Sequence, residues 1–206
     1  AMEHVSDGWK AAWLPKEGSW LEEAQEYVLD RAVAEQVAGI GTVTVQACTE
    51  TECRAAPPAP FTTSTLQQAA SAALKINPTR CMALAQKLYE SGHITYMRTD
   101  SPNLSEEAIA AIRSWAAEHD HPVPAGPRAW KSKEGAQEAH EAIRPTHFEV
   151  EDAGENEEEQ ALYRLIRLRA LASQLEEAVY AVRVLRLEGE VDGKKAVFEA
   201  KGRTLV

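Results

Sequence analysis

The sequence contains few cysteines, and it lacks both a long apolar run and an N-terminal signal pattern. Only Cys48, Cys53 and Cys81 occur among its 206 residues, too few for the disulfide framework of a small secreted protein. No stretch approaches the roughly 20 consecutive apolar residues that span a bilayer. Cys48 and Cys53 have no second pair nearby, which argues against a four-ligand zinc site. We therefore expect a cytoplasmic protein that makes no membrane contact.

A surplus of positive charge is also absent. The net charge of −10, from 22 basic and 32 acidic residues, argues against DNA binding by the chain as a whole, because Lys and Arg make most phosphate contacts. The distribution is uneven, however. Residues 61–147 carry nine basic and nine acidic side chains, whereas residues 1–60 and 148–177 each carry six more acidic than basic ones. A site for an anionic ligand is therefore expected in the neutral middle.

Both ends of the chain have strand patterns, and the centre is helical. Apolar residues alternate over residues 43–47 and again over 180–187, and Asp192–Gly193 is a hairpin turn signal. Helical spacing instead dominates residues 65–118 and 160–175. The two patterns predict strands that precede and follow a helical region.

A proline-rich connector at residues 55–60 is the best candidate for a domain boundary. The economical interpretation is one β-containing domain that is interrupted by a helical insert. We therefore predict an α+β fold in which a small split β-rich domain, residues 1–57 and 178–206, is interrupted by a mainly helical domain, residues 58–177.

Local patterns make further structural predictions. Ser19 and Glu22 have the spacing of a capping box for a helix that runs to about residue 37. The strand at residues 40–49 is expected to be half-buried, and the acidic run at 151–159 is expected to be a solvated loop. A solvated helix face is expected for three arginines, Arg164, Arg167 and Arg169.

The first candidate chemical segment is ITYMRTDS, residues 94–101. If it is extended, Tyr96 and Arg98 point to the same face. A phenol oxygen can attack phosphorus while a guanidinium holds the charged phosphate oxygens. Because the pKa of a free tyrosine is about 10, such a nucleophile needs a neighbouring cation or proton acceptor. Taken alone, the octapeptide favours a structural interpretation, in which Tyr96 packs at a domain edge and Arg98 pairs with Asp100.

The second candidate segment is QEAHEAIRPT, residues 137–146. If it is helical, His140 and Arg144 lie at i,i+4 on one face, where an imidazolium and a guanidinium suit a phosphate. His140 could also pass a proton to a leaving alkoxide. Taken alone, this segment too favours the plainer interpretation, a surface helix with a Glu–Arg pair.

Four motifs in one order change this balance. They are PFTTSTLQQAAS, AQKLYE, GHITYMRTDS and QEAHEAIRP, at residues 60–71, 85–90, 92–101 and 137–145. Together they closely resemble the type IA DNA topoisomerases, and the bacterial topoisomerase I branch more than the topoisomerase III branch. The resemblance is strong over residues 58–147, and an ordered set of four matches is far more specific than either segment alone.

The resemblance implies roles for single residues. Tyr96 matches the family's active-site tyrosine, which forms a 5′-phosphotyrosyl bond with one DNA strand. Arg98 matches the arginine that positions the scissile phosphate, and His140 matches the histidine that contacts phosphate and supports cleavage. Arg144 lies in the same motif and is expected to contact DNA. By the same resemblance, the helical domain carries the tyrosine and the split β-rich domain is the arch that swings it away from the cleaved strand.

The resemblance also implies what lies outside this chain. The family binds Mg²⁺ through an acidic cluster in an N-terminal domain, and no such cluster with its strand–helix setting occurs here. The family uses no ATP, because the covalent bond to tyrosine conserves the energy for rejoining. We therefore expect a central fragment that acts on single-stranded DNA together with the remaining domains of the same enzyme, and that is inactive alone.

A second hypothesis comes from a different functional class. The helical domain could be a non-catalytic module that holds single-stranded DNA or a partner protein on the same face. The two hypotheses differ in what Tyr96 and Arg98 do, since only the first requires a covalent link to DNA.

Overall fold

The computed structural model describes residues 3–6, 9–17, 20, 21, 28, 30–131 and 141–206. The chain divides into two compact units, one formed by residues 1–55 with 178–206 and the other by residues 56–177. The proline-rich connector lies at the start of the second unit. The combination of an antiparallel sheet with a helical unit confirms the predicted α+β class.

The first unit is a five-stranded antiparallel sheet with one described helix. The strand order is β1-β2-β5-β4-β3, so the two chain segments of this unit interleave in one sheet. Its elements are β1 (Glu3–Ser6), β2 (Trp9–Trp13), α1 (Arg31–Ala38), β3 (Thr44–Ala55), β4 (Ala178–Val191) and β5 (Lys194–Leu205).

The hairpin between β4 and β5 forms where the sequence predicts it. Asp192 and Gly193 both have positive φ angles, 50° and 77°, and Val191 pairs with Lys194. This geometry is favoured by an Asp-Gly pair, because glycine has no Cβ to oppose it and aspartate tolerates it. The core of the unit lies near this hairpin and consists of small and large apolar residues, namely Ala11, Trp13, Val37, Ile40, Leu187, Ala196, Phe198 and Ala200.

Two predictions for this unit are partly wrong. The helix begins at Arg31, where the Asp30 side chain caps it, and Leu21 and Val28 are not helical. Ser19 and Glu22, the predicted capping box, lie outside the described residues. The strand β3 is not half-buried but exposed along its whole length, because it forms the edge of the sheet and neither of its faces is covered within its unit.

The second unit packs its helices around a main core and a smaller second cluster that contains Ala108, Ile112 and Phe148. Its helices are α2 (Thr63–Leu74), α3 (Pro78–Glu90), α4 (Glu106–Glu118) and α5 (Glu157–Ser173). Side chains of Thr62, Asn77, Ser105 and Asn156 cap their N-termini, as such residues do by accepting a bond from the first free N–H groups. In the part of the chain that the structure describes, no helix combines the length and the apolarity that a membrane span requires.

The acidic run is a solvated loop only in part, because residues 151–156 are not helical whereas residues 157–159 begin α5. Glu157, Glu158 and Glu159 form the first turn of α5, where negative charge is favoured by the helix dipole. The Glu159 side chain is 3% exposed and pairs with Lys87, and Glu158 pairs with Arg80. The N–H of Glu155, together with Lys87, holds the pKa of Glu159 below its usual value although burial opposes this.

The arginines of α5 also differ from expectation. Arg167 is buried, and its Nε donates to the carbonyl of Phe148 at 2.8 Å. Arg169 is half-buried with its guanidinium 4.3 Å from the centre of the Phe61 ring. Only Arg164 is exposed, and it pairs with Asp152. Two of the three arginines therefore stabilise the fold instead of facing solvent.

Candidate active site

Three chain segments of the helical unit meet beside the start of α2. Residue 61 forms an antiparallel bridge with residue 143, and residue 94 forms another with residue 145. The N–H of Ile143 donates to the carbonyl of Phe61 at 2.8 Å, and the N–H of Thr95 donates to the carbonyl of Arg144 at 2.9 Å. The segments that carry the two sequence motifs are thus directly hydrogen-bonded to each other.

Gly92 directs the chain from α3 into the tyrosine segment. Its φ angle is +74°, a conformation that glycine adopts without strain. The N–H of Gly92 donates to the carbonyl of Tyr89, and the N–H of His93 donates to the carbonyl of Leu88. These two bonds form the Schellman motif that ends many helices, and they fix where the segment begins relative to α3.

The tyrosine segment is held by its buried residues. Ile94 and Met97 are part of the main core, and Thr99 is also buried. Tyr96 and Arg98, which alternate with them, are exposed. The segment is not a regular strand, since it forms only the isolated bridge at Ile94, but exposed and buried residues alternate over residues 96–99.

Tyr96 presents its ring to solvent at the surface of this unit. The residue is 40% exposed, and its ring lies edge to face with that of Tyr89, with centroids 5.3 Å apart and an angle of 66° between planes. Tyr163 is the opposite case, because it is 1% exposed and its hydroxyl lies 2.9 Å from the carbonyl oxygen of Val150. Burial raises the pKa of Tyr163 to about 12. Of these two tyrosines, only Tyr96 is accessible from solvent.

Arg98 carries a positive charge beside the tyrosine without a carboxylate partner in the described ranges. The expected alternative, an ion pair with Asp100, does not form there, although both side chains are exposed. An arginine that is not neutralised by a protein carboxylate can give its whole fork of donors to a phosphate. The described residues thus show the ring packing of the structural interpretation, between Tyr96 and Tyr89, but not its ion pair.

Two threonine hydroxyls hold the backbone on either side of the tyrosine and arginine. The Thr95 hydroxyl donates to the carbonyl of Ala142 at 2.9 Å and accepts from the N–H of Arg144 at 3.0 Å. The Thr63 hydroxyl accepts from the N–H of Thr99 at 2.9 Å. Sequence reasoning missed both residues. Their signal, a threonine-rich run before a helix and a threonine before Tyr96, indicates local caps but not these distant partners.

The helix considered for the segment with Arg144 is not present in its described residues. Residues 141–146 are non-helical and form the two bridges instead. His140 lies outside the described residues, so its predicted position beside Arg144 has no description. Arg144 itself is tied to the protein: its Nε and Nη2 each donate to Glu141 at 2.9 Å, and its Nη1 donates to the carbonyl of Pro145 at 2.8 Å.

Glu141 links this segment to the start of α4. One of its oxygens also accepts from the N–H of Ser105, the N-cap residue, at 3.2 Å. Burial opposes ionisation of Glu141, but the hydrogen bonds and charge of Arg144 and the bonds from Ser105 outweigh it, and the pKa of Glu141 lies below its usual value. The side chain of Arg144 is only 13% exposed, so its present partners support a structural role for it.

Replacement of Glu141 by glutamine is expected to destabilise the helical unit by about 2 kcal/mol near neutral pH, because the partly buried Arg144 loses its charged acceptor. Since the folded state lowers the pKa of Glu141, its stabilisation is complete above the unfolded pKa of about 4.3 and is lost as the pH falls through the folded value. Urea unfolding of the two proteins over this range measures the difference, which should shrink towards acid pH. If the free energies of unfolding of the two proteins differed equally at every pH, the stabilisation would not come from ionised Glu141.

The described residues do not form a metal centre. No group of three or more His, Cys, Asp or Glu side chains that could hold a metal ion occurs among them. Cys81 is buried in the core, and burial raises the pKa of its thiol to about 11.

Comparison with known proteins gives matches along nearly the whole chain. The family described as DNA topoisomerase matches residues 9–206. A protein of Xylella fastidiosa named "DNA topoisomerase I, plasmid" is 49% identical over 204 residues, which cover 98% of this chain and 31% of that protein. DNA topoisomerase 1 of Mycobacterium tuberculosis is 45% identical over 174 residues, which cover 79% of this chain and 19% of that protein.

A solved topoisomerase structure also matches nearly the whole chain. The full-length topoisomerase I of Thermotoga maritima matches with a TM-score of 0.72 and 29% identity, over 99% of this chain and 33% of that one. This chain thus spans a third or less of the length of each of these proteins.

Proposed function

The chain belongs to the type IA DNA topoisomerase family, and we propose that it is the part of a longer enzyme that carries the nucleophile for cutting and rejoining one DNA strand. The nucleophile is Tyr96, and Arg98 binds the phosphate that it attacks. The observation that carries this proposal is the pairing of an exposed phenol with an exposed guanidinium on a segment whose intervening residue, Met97, is fixed in the core.

The proposed reaction exchanges one phosphate ester for another. The Tyr96 oxygen attacks the phosphorus, its proton passes to a base, and the bond from phosphorus to the 3′ oxygen of the preceding sugar breaks. That oxygen takes up a proton and leaves as a free 3′ hydroxyl, while the 5′ phosphate stays on the tyrosine. Reversal of these steps rejoins the strand. Because the number of ester bonds is unchanged, no ATP is required.

Arg98 is proposed to act on the phosphate rather than on the phenol alone. A planar guanidinium offers two parallel N–H donors to phosphate oxygens, and the charge that develops on those oxygens during attack strengthens the bonds. His140 is assigned a further phosphate contact and a role in cleavage by resemblance. The contact of Arg144 with DNA also rests on resemblance, and the ion pair with Glu141 gives it no support.

Other parts of the enzyme are proposed to complete the site. The described residues contain no suitable ligand set for Mg²⁺, so we assign that ion to a domain outside this chain. The substrate is proposed to be single-stranded DNA, because a strand must reach the exposed phenol individually. The sheet unit is proposed to be the family's arch, and the parent enzyme is proposed to act in the cytoplasm on DNA.

The alternative, a helical module that only binds single-stranded DNA or a protein, uses the same exposed surface. This alternative does not explain why Tyr96 and Arg98 lie on one anchored segment. Nor does it explain why Arg98 has no carboxylate partner among the described residues. A covalent product separates the two proposals.

The experiment that tests the proposal is capture of the covalent complex by the full-length enzyme. Single-stranded DNA labelled at its 3′ end is incubated with enzyme and Mg²⁺, and the reaction is stopped with denaturant. A 5′-phosphotyrosyl link predicts that the 3′ label migrates with the protein, whereas a 5′ label leaves as a shortened strand. Mass spectrometry of the digested adduct should place the nucleotide on the peptide that contains Tyr96. A 5′ label on the protein would contradict the proposed polarity.

The isolated chain is expected to be inactive, because Mg²⁺ and half of the proposed site lie in other domains. A plasmid relaxation assay with Mg²⁺ should show no change in supercoiling with this chain and rapid relaxation with the full-length enzyme. Relaxation by the isolated chain that disappears with Tyr96→Phe would show that the chain holds a complete site, and would overturn this part of the proposal.

A further inference from the structure

The side chain of Thr63 makes its hydrogen bonds to the tyrosine segment rather than to its own helix. Thr63 is the first residue of α2, and its N–H donates to the carbonyl of Thr99 at 2.9 Å. Its hydroxyl accepts from the N–H of Thr99 at 2.9 Å and donates either to the carbonyl of Met97 at 2.8 Å or to that of Thr99 at 3.1 Å. These partners are the two residues on either side of Arg98.

The start of α2 does not need this hydroxyl. Thr62 and Thr65 form the capping box there: the Thr62 hydroxyl accepts from the N–H of Thr65, and the Thr65 hydroxyl accepts from the N–H of Thr62 at 2.9 Å. The first turn of the helix is therefore capped by its neighbours. The Thr63 hydroxyl is left to bind a segment that lies more than thirty positions further along the chain.

The position of Thr63 fixes the backbone from which Arg98 projects. Met97 is anchored in the core and Thr99 is buried, but apolar packing alone does not fix the rotation of the peptide groups between them. The hydrogen bonds of the Thr63 hydroxyl to the Met97 carbonyl and the Thr99 N–H fix this rotation, because they set the direction of the peptide planes on both sides of Arg98. The Arg98 side chain therefore projects from a backbone of fixed position and direction.

We propose that Thr63 is a positioning residue for Arg98, and that it acts by holding residues 97 and 99 so that the guanidinium meets the scissile phosphate. This inference rests on the proposed function of Tyr96 and Arg98. Displacement of a catalytic group by about 1 Å can lower the reaction rate strongly even where substrate binding is retained. Thr63 is thus expected to affect the cleavage step more than the affinity for DNA.

The test measures single-turnover cleavage of single-stranded DNA by the full-length enzyme. Thr63→Val, which keeps the shape but not the hydroxyl, is expected to slow adduct formation by about 10- to 100-fold, with the dissociation constant for DNA changed less than about threefold. Thr63→Ser, which keeps the hydroxyl, should restore most of the rate. Thr65→Val is the matched control, because it removes a hydroxyl from the same helix start that does not contact residues 97–99.

A double-mutant cycle with Arg98→Ala distinguishes positioning from general stability. If Thr63 acts through Arg98, then Thr63→Val should slow cleavage little further once the guanidinium is gone. Effects that multiply in the double variant, or a wild-type rate for Thr63→Val, would overturn the inference. If Thr63→Val unfolds at the assay temperature, Thr63→Cys, whose thiol is a weak hydrogen-bonding group, replaces it in the same cycle.

Failure of this inference can be told apart from failure of the proposed function. If Tyr96→Phe still forms the covalent complex, the proposed function is wrong and the inference falls with it. If Tyr96→Phe forms none while Thr63→Val cleaves normally, the proposed function stands and only the positioning role is refuted.

Discussion

Tyr96→Phe in the full-length enzyme is expected to form no covalent complex with DNA. The change removes the one oxygen that is proposed to attack phosphorus, and loss of a nucleophile lowers rates by roughly 10⁴-fold or more. Phenylalanine keeps the ring, and with it the edge-to-face contact that Tyr96 makes with Tyr89. Because the position is exposed, the free energy of unfolding should change by less than about 1 kcal/mol.

The measurement is the amount of labelled adduct after denaturation, together with the affinity for single-stranded DNA. Affinity should remain within a few-fold of the wild-type value, since the variant retains Arg98. Tyr180→Phe is a matched control, because it removes a phenol oxygen from β4 in the other unit. An adduct of normal yield with Tyr96→Phe would place the nucleophile elsewhere and remove the basis of the proposed function.

Arg98→Ala is expected to have the second-largest effect, a decrease of roughly 10²- to 10³-fold in the rate of cleavage. The guanidinium is proposed to bind phosphate oxygens most strongly when they carry extra charge in the transition state, so the rate should fall more than the affinity. Loss of one phosphate contact should also lower the salt dependence of DNA binding by about one unit of slope. Arg98→Lys keeps the charge but not the planar fork, so its rate of cleavage should lie between those of the wild type and Arg98→Ala.

Arg98→Ala also distinguishes the proposed catalytic function from a non-catalytic DNA-binding module. A module that only holds DNA would lose affinity with Arg98→Ala and would show no cleavage to lose. Arg164→Ala serves as the control, because Arg164 is an exposed arginine of the same unit that pairs with Asp152. If Arg98→Ala weakens binding strongly and leaves the rate of cleavage by bound enzyme unchanged, Arg98 binds substrate without assisting the reaction.

The α+β class, the four described helices of the helical unit and the β4–β5 hairpin follow from local sequence. Each depends on residues within a few positions: Ser105 caps α4, Gly92 ends α3, and Asp192–Gly193 forms the turn. Periodicity likewise predicts that Tyr96 and Arg98 share a face, because alternation needs only an extended backbone. The family membership also follows from sequence, through four ordered motifs.

Predictions that required knowledge of neighbouring elements were less successful. The pattern around Val45 suggests one buried face, yet Val45 is 57% exposed because neither face of β3 is covered within its unit. The acidic run before Gln160 suggests a solvated loop, yet Glu159 is buried against Lys87. Burial depends on what covers an element, and this is decided by segments that are distant in sequence.

By itself, the sequence determined the α+β class, most of the helices and strands, and the family, because these depend on side-chain type and on spacing along the chain. It also marked Tyr96 and Arg98 as candidates for the chemistry. Only the tertiary structure decided which groups hold those residues in place. Thr63 bonds the backbone on both sides of Arg98, and Glu141 takes up the charge of Arg144. Hydrogen bonds between segments require a fixed distance and direction in space, and no periodicity along one chain encodes these.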